Sequence, residues 1–256
     1  MRHFGLIGRS LGHSFSAKFF NGKFKAEEIA ADYTLIETDD IASIDFLIIT
    51  YGLEGFNVTI PYKESIIPYL DELSDDAREI GAVNCVVISD GRKIGHNTDI
   101  VGIEASLQWL DIELNPKALV LGTGGASKAV QCALKRHNIE FKVVSRDASR
   151  GDVTYEALTP AIIAEHKLII NTTPVGMSPD VDSAPAIDYS AIGEEHHLFD
   201  LVYNPANTRF LAMGKERSAR TMGGMLMLQT QAIASWHLWN KQNNDTEEQN
   251  NPAPLV

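Results

Sequence analysis

Hydroxyl, amide and charged side chains occur where predicted strands end and helices begin, which is where an open α/β sheet places its ligand site. Ser14 and Ser16 lie two residues apart in a turn, so both hydroxyls can face one ligand. Asn57 and Thr59 share one face of a strand, and Lys63 follows in a predicted helix. Each group also has a simpler interpretation. Ser14 can be only a helix cap, and Lys63 only an exposed helix lysine.

Two further groups follow in the first hundred residues. Asn84 places an amide on a strand, and Asn97, Thr98 and Asp99 precede an apolar helical pattern. Asn97 or Thr98 suits the cap position of that helix, and Asp99 suits its first turn, where the helix dipole favours negative charge. Because these groups fall at comparable ends of elements, the sequence predicts that they form one binding site.

A glycine-rich turn separates the apolar strand KALVLG from a helix. Gly122 permits a sharp turn, and Gly124 lets the backbone approach a pyrophosphate at the helix N-terminus. Ser127 stands where a third glycine or alanine is usual in this motif, and it is also small. With strands and helices alternating after it, the turn predicts dinucleotide binding rather than a purely structural bend.

The end of the next strand indicates which dinucleotide binds. That strand ends in Ser145 and Arg146, and Arg150 follows shortly after. Arginine matches the charge and shape of a 2′-phosphate, so we expect NADP rather than NAD. Asp147 leaves an alternative, because an acid at this place can bind the ribose hydroxyls of NAD or pair with an arginine. Solvated surface arginines are a further alternative.

The pattern of elements predicts an α/β fold in two domains. Residues 1–100 are expected to form an α/β domain, and residues 101–222 a Rossmann-like domain with a doubly wound parallel sheet. A helix over 223–240 is expected to pack back on the first domain, and the polar tail 241–256 to be disordered.

The sequence also predicts a helix from Pro61 through Leu70. Ser74, followed by Asp75 and Asp76, is expected to cap a helix. Ser89-Asp90-Gly91 is expected to form a hairpin turn between the β-like stretches 82–88 and 92–96.

The bulk composition excludes several classes of function. The chain has 256 residues, a net charge of -12 and no basic patch, so nucleic acid is not an expected partner. No apolar run approaches the roughly 20 residues that span a membrane, and no signal peptide is visible. The two cysteines, Cys85 and Cys132, are expected to be reduced in a cytoplasmic protein. No cluster of histidine, cysteine and carboxylate residues predicts a metal site.

Taken together, the motifs resemble those of the shikimate dehydrogenase family over nearly the whole chain. The similar strings, in chain order, are SLGHSFS, NVTIPYK, GAVNC, HNTDIVG, GTGGAS, NTTPVGM, DLVYNP and MLMLQ. The resemblance implies a substrate domain followed by an NADP domain, with the reaction in the cleft between them.

The resemblance also implies roles for individual residues. It makes Lys63 and Asp99 the catalytic pair. The residues it implies for substrate binding are Ser14, Ser16, Asn57, Thr59, Lys63, Asn84, Asp99, Tyr203 and Gln229. Those it implies for NADP binding are Gly122, Thr123, Gly124, Gly125, Ala126, Ser127, Ser145, Arg146, Arg150, Asn171, Thr172, Thr173 and Gly224.

The activity that the resemblance implies is reduction of 3-dehydroshikimate to shikimate by direct hydride transfer from NADPH, a step of aromatic amino-acid biosynthesis. The expected partners are these small molecules alone, with the protein a monomer or a homodimer. Two alternatives stay open. One is a quinate/shikimate dehydrogenase with relaxed cofactor use, and the other is a non-catalytic, ligand-sensing member of the fold.

Overall fold

The computed structural model describes residues 1–12, 14–110 and 116–250, with side chains described as far as Lys241. Its strands are β1 (Arg2–Gly8), β2 (Ala31–Glu37), β3 (Leu53–Val58), β4 (Glu72–Leu73), β5 (Cys85–Ser89), β6 (Arg92–His96), β7 (Ala118–Leu121), β8 (Phe141–Ser145), β9 (Val153–Thr154), β10 (Leu168–Asn171), β11 (His197–Asp200) and β12 (Arg220–Met222). Its α-helices are α1 (Phe15–Ala26), α2 (Ile44–Tyr51), α3 (Asp75–Ile80), α4 (Asp99–Trp109), α5 (Gly125–Arg136), α6 (Pro160–Glu165), α7 (Arg209–Lys215) and α8 (Met225–Asn250).

The chain divides into two compact units. The first contains Met1–Thr98 and the chain from Ala232 onward, and the second contains Asp99–Gln231. Helix α8 therefore begins in the second unit and continues into the first. Within the described residues, no helix combines the length and apolar character needed to span a membrane.

The first unit contains a mixed six-stranded sheet in the order β2-β1-β3-β5-β6-β4. Strand β1 runs parallel to both β2 and β3, while β5 is antiparallel to β3 and to β6. The carboxyl ends of β1, β2 and β3 therefore lie at one edge of the sheet. Because Ser14 follows β1 and Thr59 follows β3, this edge gathers the first two polar groups of the sequence.

Alternation along β1 sends successive side chains into two apolar layers. Phe4 packs with Phe20 of α1 and with Trp239 of α8, whose ring stacks on it with centroids 4.8 Å apart. Ile7 points the other way and packs with Ile44 of α2 and Phe56 of β3. The C-terminal helix is thus part of the core of the first unit.

Two local predictions are confirmed in the first unit. Asp90 and Gly91 both have positive φ (50° and 75°), as the turn of a two-residue hairpin between β5 and β6 requires. Ser74 caps α3 by accepting the Ala77 N–H at 3.2 Å, and Gly81 ends that helix in the left-handed conformation with φ 68°.

The second unit contains a fully parallel six-stranded sheet in the order β12-β11-β10-β7-β8-β9. This is the doubly wound order of dinucleotide-binding sheets, in which the chain direction across the sheet reverses between the first and fourth strands. Here those strands are β7 and β10, both fully buried. The predicted α/β class and Rossmann-like parallel sheet are confirmed.

Other predictions differ from the structure. The predicted helix from Pro61 to Leu70 is absent, and only a short 3-10 turn, Ile67–Tyr69, forms there. Pro68 lies inside this stretch, two residues before its end, and its missing N–H and its ring interrupt an α-helix there. Sequence patterns also missed the short helices α2, α6 and α7. Helix α8 continues to Asn250, past the predicted start of a disordered tail at residue 241, and residues 251–256 lie outside the described part of the chain.

Candidate active site

Ser14 and Ser16 lie at the start of α1, just beyond the carboxyl end of β1. Ser14 is the cap of the helix, and its Oγ accepts the Ser16 N–H at 3.2 Å. The Ser16 side chain lies near the buried Tyr33 hydroxyl, where it partly offsets the rise in the pKa of Tyr33 that burial causes. Both serines are partly exposed. The capping role of Ser14 is therefore present in the structure.

Behind these serines, buried polar side chains form one hydrogen-bonded network. Tyr33 Oη donates to Asn57 Oδ1 at 2.8 Å, and Asn57 Nδ2 reaches Ser235 Oγ at 2.9 Å. Ser235 Oγ lies 3.1 Å from Thr98 Oγ1, which is 3.0 Å from Asn84 Nδ2. The hydroxyls of Ser235 and Thr98 thus link the predicted Asn57 and Asn84, and the Tyr33 phenol holds the other side of the Asn57 amide; the site prediction had omitted all three groups.

Lys63 lies in the turn that replaces the predicted helix, and its side chain is partly exposed. Its carbonyl accepts the Val83 N–H at 2.7 Å, which fastens the lysine turn to the loop before Asn84. Thr59 precedes this turn and is also partly exposed. The main chain therefore places Thr59, Lys63 and Asn84 in neighbouring segments of the first unit.

Asn97 supports the same loop from the other side. Its Nδ2 donates to the Ala82 carbonyl at 2.8 Å, and among the described residues its buried Oδ1 has no hydrogen-bond partner. The sequence considered Asn97 only as a helix cap. Its place directly before Thr98 and Asp99 was the signal for a role in the site.

Asp99 is the first residue of α4 and is only 4% exposed. It occupies the first turn, as the sequence predicts. Lys63 belongs to the first unit and Asp99 is the first residue of the second. Their action as a catalytic pair stays a prediction.

In the second unit, the glycine loop follows β7 at the point where the strand order reverses. Gly122 has φ 110°, and a Cβ there would lie 2.8 Å from Thr172 Oγ1 and 2.9 Å from Thr173 Cγ2. Only glycine fits both this backbone and this contact. The predicted cofactor residues Gly122, Thr172 and Thr173 therefore meet at the carboxyl ends of β7 and β10.

Helix α5 begins at Gly125, and its cap residue, Gly124, offers no side chain to the helix N–H groups. A Cβ at Gly124 would meet nothing within 4 Å, so the approach to these N–H groups is open. Ser127 is buried, and its Oγ donates to the Gly122 carbonyl at 2.7 Å, which braces the loop. Gly125 and Ala126 form the first turn of the helix. An anion fits this helix start, because both the N–H groups and the helix dipole attract negative charge.

The arginines and the acid after β8 occupy different places. Arg150 Nη2 donates to the carbonyl of Thr123 at 3.3 Å, so its guanidinium lies against the glycine loop. Asp147 Oδ1 instead accepts both the N–H and the hydroxyl of Ser149 (2.9 and 2.7 Å). The Ser149 hydrogen bonds and the Arg150 charge lower the pKa of this carboxyl. Arg146 is exposed.

Ser145 is buried at the end of β8, and its Oγ accepts the Asp147 N–H at 3.1 Å. Oδ1 of the Asp147 carboxylate is already occupied by its hydrogen bonds to Ser149, within the same turn. The contact of Arg150 with the glycine loop favours a 2′-phosphate at this position over the hydroxyl pair that an acid binds.

Asn171 is fully buried at the end of β10 and orders the loop after it. Its Oδ1 accepts the N–H and hydroxyl of Thr173 (3.1 and 2.6 Å), and its Nδ2 donates to Asp200 Oδ1 at 2.9 Å. Asp200, which the site prediction had omitted, also accepts from Thr208 Oγ1 and Val202 N–H (2.6 and 3.0 Å). Burial raises the pKa of Asp200 to about 6.

The last three predicted residues lie after β11. Tyr203 is partly exposed, and Gly224 packs so tightly that a Cβ would lie 2.2 Å from the Leu201 carbonyl oxygen. Gln229 is exposed on α8. Gln231, two positions later, is partly buried and lies one helical turn before Ser235, on the same helix face. The structure therefore does not place Gln229 on the face that carries Ser235.

No group of histidine, cysteine and carboxylate side chains in the described residues is arranged to hold a metal ion.

Comparison with known proteins shows which family has this sequence and this arrangement of residues. A family model described as the shikimate dehydrogenase substrate binding domain matches residues 6–86. The NADP(+) shikimate dehydrogenase of Clostridium beijerinckii is 39% identical over 249 residues, covering 93% of this chain and 92% of the relative. The chain belongs to the shikimate dehydrogenase family. The expected family and its enzyme class are thereby confirmed.

Solved structures of the shikimate dehydrogenase family have the same fold. The Thermus thermophilus enzyme, solved with NADP(H) and shikimate, is 31% identical with a TM-score of 0.84, covering 93% of both chains. A quinate dehydrogenase from Corynebacterium glutamicum, solved with NAD, is 29% identical with the same TM-score and the same coverage of both chains. Because both substrates and both cofactors occur on this fold, the choice between them depends on individual side chains.

Proposed function

We propose that this protein reduces 3-dehydroshikimate to shikimate with NADPH. The observation that carries the proposal is the contact of Arg150 with a glycine loop open to an anion, in a chain whose relatives are named NADP(+) shikimate dehydrogenases. NADPH, when bound, supplies the hydride that reduces the ring carbon bearing the ketone.

The residues of the second unit fit the cofactor. The N–H groups at the start of α5 would hold the pyrophosphate, and Gly124 leaves room for it. Arg150, with Arg146 beside it, would bind the 2′-phosphate as a charge-assisted pair. Ser145, Asn171 and Gly224 would act through the backbone they shape, because each is buried.

The residues of the first unit suit a small ring that carries a carboxylate and several hydroxyls. Hydroxyls of Ser14 and Ser16 would bind the carboxylate, and Asn57, Thr59 and Asn84 would address the ring hydroxyls. The resemblance also implies that Tyr203, a residue of the second unit, would lie beside the substrate. The resemblance implies that the side-chain amide of Gln229 contacts the substrate. Gln231 is a second candidate for this role, because it is partly buried and lies on the helix face of Ser235.

Lys63 and Asp99 would carry the proton chemistry. Reduction of a ketone requires a proton at oxygen as the carbon is reduced, and a lysine ammonium is a suitable donor. Asp99, whose carboxylate is buried at the start of α4, would hold the ammonium and a substrate hydroxyl in position. In the oxidative direction the lysine would have to be the neutral amine, which would receive the hydroxyl proton.

A direct experiment tests the proposal. Initial rates of the purified full chain are measured with shikimate or quinate and with NADP⁺ or NAD⁺, in all four combinations. We expect the highest kcat/KM with shikimate and NADP⁺. Comparable values with quinate and NAD⁺, the pair suggested by the C. glutamicum relative, would favour the quinate/shikimate alternative. No turnover with any pair, but binding of shikimate, would favour a ligand-sensing role.

A further inference from the structure

Ser235 joins parts of the first unit that are far apart in the sequence. It lies on α8, is fully buried, and its Oγ is 2.9 Å from Asn57 Nδ2 and 3.1 Å from Thr98 Oγ1. Asn57 is 178 positions earlier in the chain. The resemblance assigned no role to this serine.

The orientation of the Asn57 amide follows from its neighbours. The backbone carbonyl of Asn84 can only accept a hydrogen bond, so the Asn57 atom 3.0 Å from it must be Nδ2. Oδ1 then faces Tyr33, whose hydroxyl must donate. Burial raises the pKa of Tyr33 well above its ordinary value, which keeps this donor protonated. The second hydrogen of Nδ2 is left for Ser235.

The next bonds connect this amide to Thr98 and Asn84. Asn57 donates to Ser235 Oγ, and Ser235 Oγ and Thr98 Oγ1 share a hydrogen bond in which either hydroxyl can donate. The Thr98 N–H donates to Asn84 Oδ1 at 2.6 Å, so the Asn84 amide must turn its Nδ2 toward Thr98 Oγ1. One connected chain of hydrogen bonds therefore runs from Tyr33 through Asn57 and Ser235 to Thr98 and Asn84.

We infer that Ser235 is a positioning residue for substrate binding. Its hydroxyl does not touch the substrate. It links the Asn57 amide to the Thr98–Asn84 pair and so holds both amides in the orientation in which they meet the ring hydroxyls. The inference rests on the proposed function. It also gives a reason for a buried serine on α8, where the neighbouring Trp236 and Trp239 belong to an apolar layer.

The test compares Ser235→Ala with Ser106→Ala in the full chain. Ser106 is a fitting control, because it is also a fully buried helix serine, bonded only within its own helix at 2.7 Å to the Gly102 carbonyl. KM for shikimate, KM for NADP⁺ and kcat are measured, together with the thermal midpoint. For Ser235→Ala we expect the KM for shikimate to rise about five- to tenfold, as the loss of one or two oriented hydrogen bonds implies. The KM for NADP⁺ and kcat should stay within about twofold, and Ser106→Ala should leave all three values within about twofold of the wild type.

A shikimate KM within about twofold of the wild type for Ser235→Ala overturns the inference, as does an equal rise in both KM values. If Ser235→Ala does not fold, Ser235→Cys decides by the same criteria, because sulfur is a weak acceptor for Asn57. A wild type that does not oxidise shikimate refutes the proposed function itself. An active wild type with an unaffected Ser235→Ala refutes only the inference.

Discussion

Among single residues, Arg150 and Asp147 are the two candidates for the contact with the cofactor ribose. Both are exposed and close in sequence, and the sequence left open which one meets the ribose. The structure turns the Asp147 carboxylate onto Ser149 and the Arg150 guanidinium onto the glycine loop. We therefore expect preference for NADP to depend on the Arg150 guanidinium, whose planar geometry a lysine would not reproduce.

Arg150→Ala is expected to raise the KM for NADPH about tenfold or more while changing the KM for NADH little, because the guanidinium meets a phosphate that NADH lacks. Steady-state kinetics with both cofactors provide the measurement. Arg209→Ala, which removes another exposed arginine of the second unit, is the control. Equal losses for NADPH and NADH in Arg150→Ala would contradict the assignment.

Lys63→Ala is expected to lower kcat by about 10² or more with little change in either KM, since a general acid contributes to the transition state rather than to binding. Pre-steady-state and steady-state rates of shikimate oxidation measure this effect. Lys25→Ala, at an exposed position of α1, should keep full activity. If Lys63→Ala retains most of its kcat, the lysine is only a surface residue of its turn.

Among the elements, α7 and strands β10 and β11 are held together by one buried carboxylate. Asp200 receives hydrogen bonds from Asn171 at the end of β10, from Val202 beyond β11, and from Thr208, the cap of α7. All of these donors are neutral, so burial dominates and raises the pKa of Asp200 to about 6. The Asp200 carboxyl holds these elements in place, but keeping it ionised in a buried position lowers the stability of the folded protein by an amount that depends on pH.

The sign of this dependence follows from the raised pKa. Asp200 contributes most to stability below pH 4, near its ordinary pKa, and this contribution is lost as the pH rises through about 6. Burial lowers the pKa of His196, which acts in the opposite direction near pH 6. A comparison of variants is therefore needed to isolate Asp200.

Asp200→Asn should remove this dependence. The difference in unfolding free energy between wild type and variant is expected to favour the wild type most near pH 4.5. It should then shrink toward pH 7.5 by an amount on the order of 2 kcal/mol. Urea unfolding across this range measures it. Asp188→Asn should show an almost flat difference over this range, because Ser190 lowers the pKa of that exposed carboxyl, which is then ionised in both the folded and the unfolded state. Parallel curves for wild type and Asp200→Asn would show that Asp200 does not titrate in this range.

For the whole molecule, the notable feature is that a discontinuous chain builds the first unit. Residues from Ala232 onward return to it and place Trp239 against β3, where a Cβ on Gly55 would lie 2.4 Å from the indole. Trp239 Nε1 donates to the Val86 carbonyl at 3.0 Å. The fold of the first hundred residues therefore depends on the last described helix.

Trp239→Ala is expected to destabilise the protein by about 3–5 kcal/mol, because it leaves a large cavity and an unpaired carbonyl in the core. Denaturant unfolding gives the value. The control is Trp109→Ala, since Trp109 is 66% exposed and should cost little. Similar losses for the two variants would argue against a core role for α8.

The sequence by itself determined the features that depend on local pattern. Apolar runs and alternation predicted most strands of both sheets, and Asp90-Gly91 predicted the hairpin, because these signals act over a few residues. The glycine loop and its helix were equally local. The short helices α2, α6 and α7 were missed, because each has too few residues to show a helical repeat of apolar positions.

Contacts between distant segments were decided only by the tertiary structure. Nothing local indicates that Ser235 meets Asn57 and Thr98, that Asp200 orders Asn171, or that the face of α8 carrying Ser235 is the one packed on the sheet. Each depends on which elements pack together and on how a helix is rotated against its sheet. Buried polar groups need hydrogen-bond partners. The hydrophobic pattern of the sequence predicts which helices and strands form, but the packing of those elements determines which polar groups become partners.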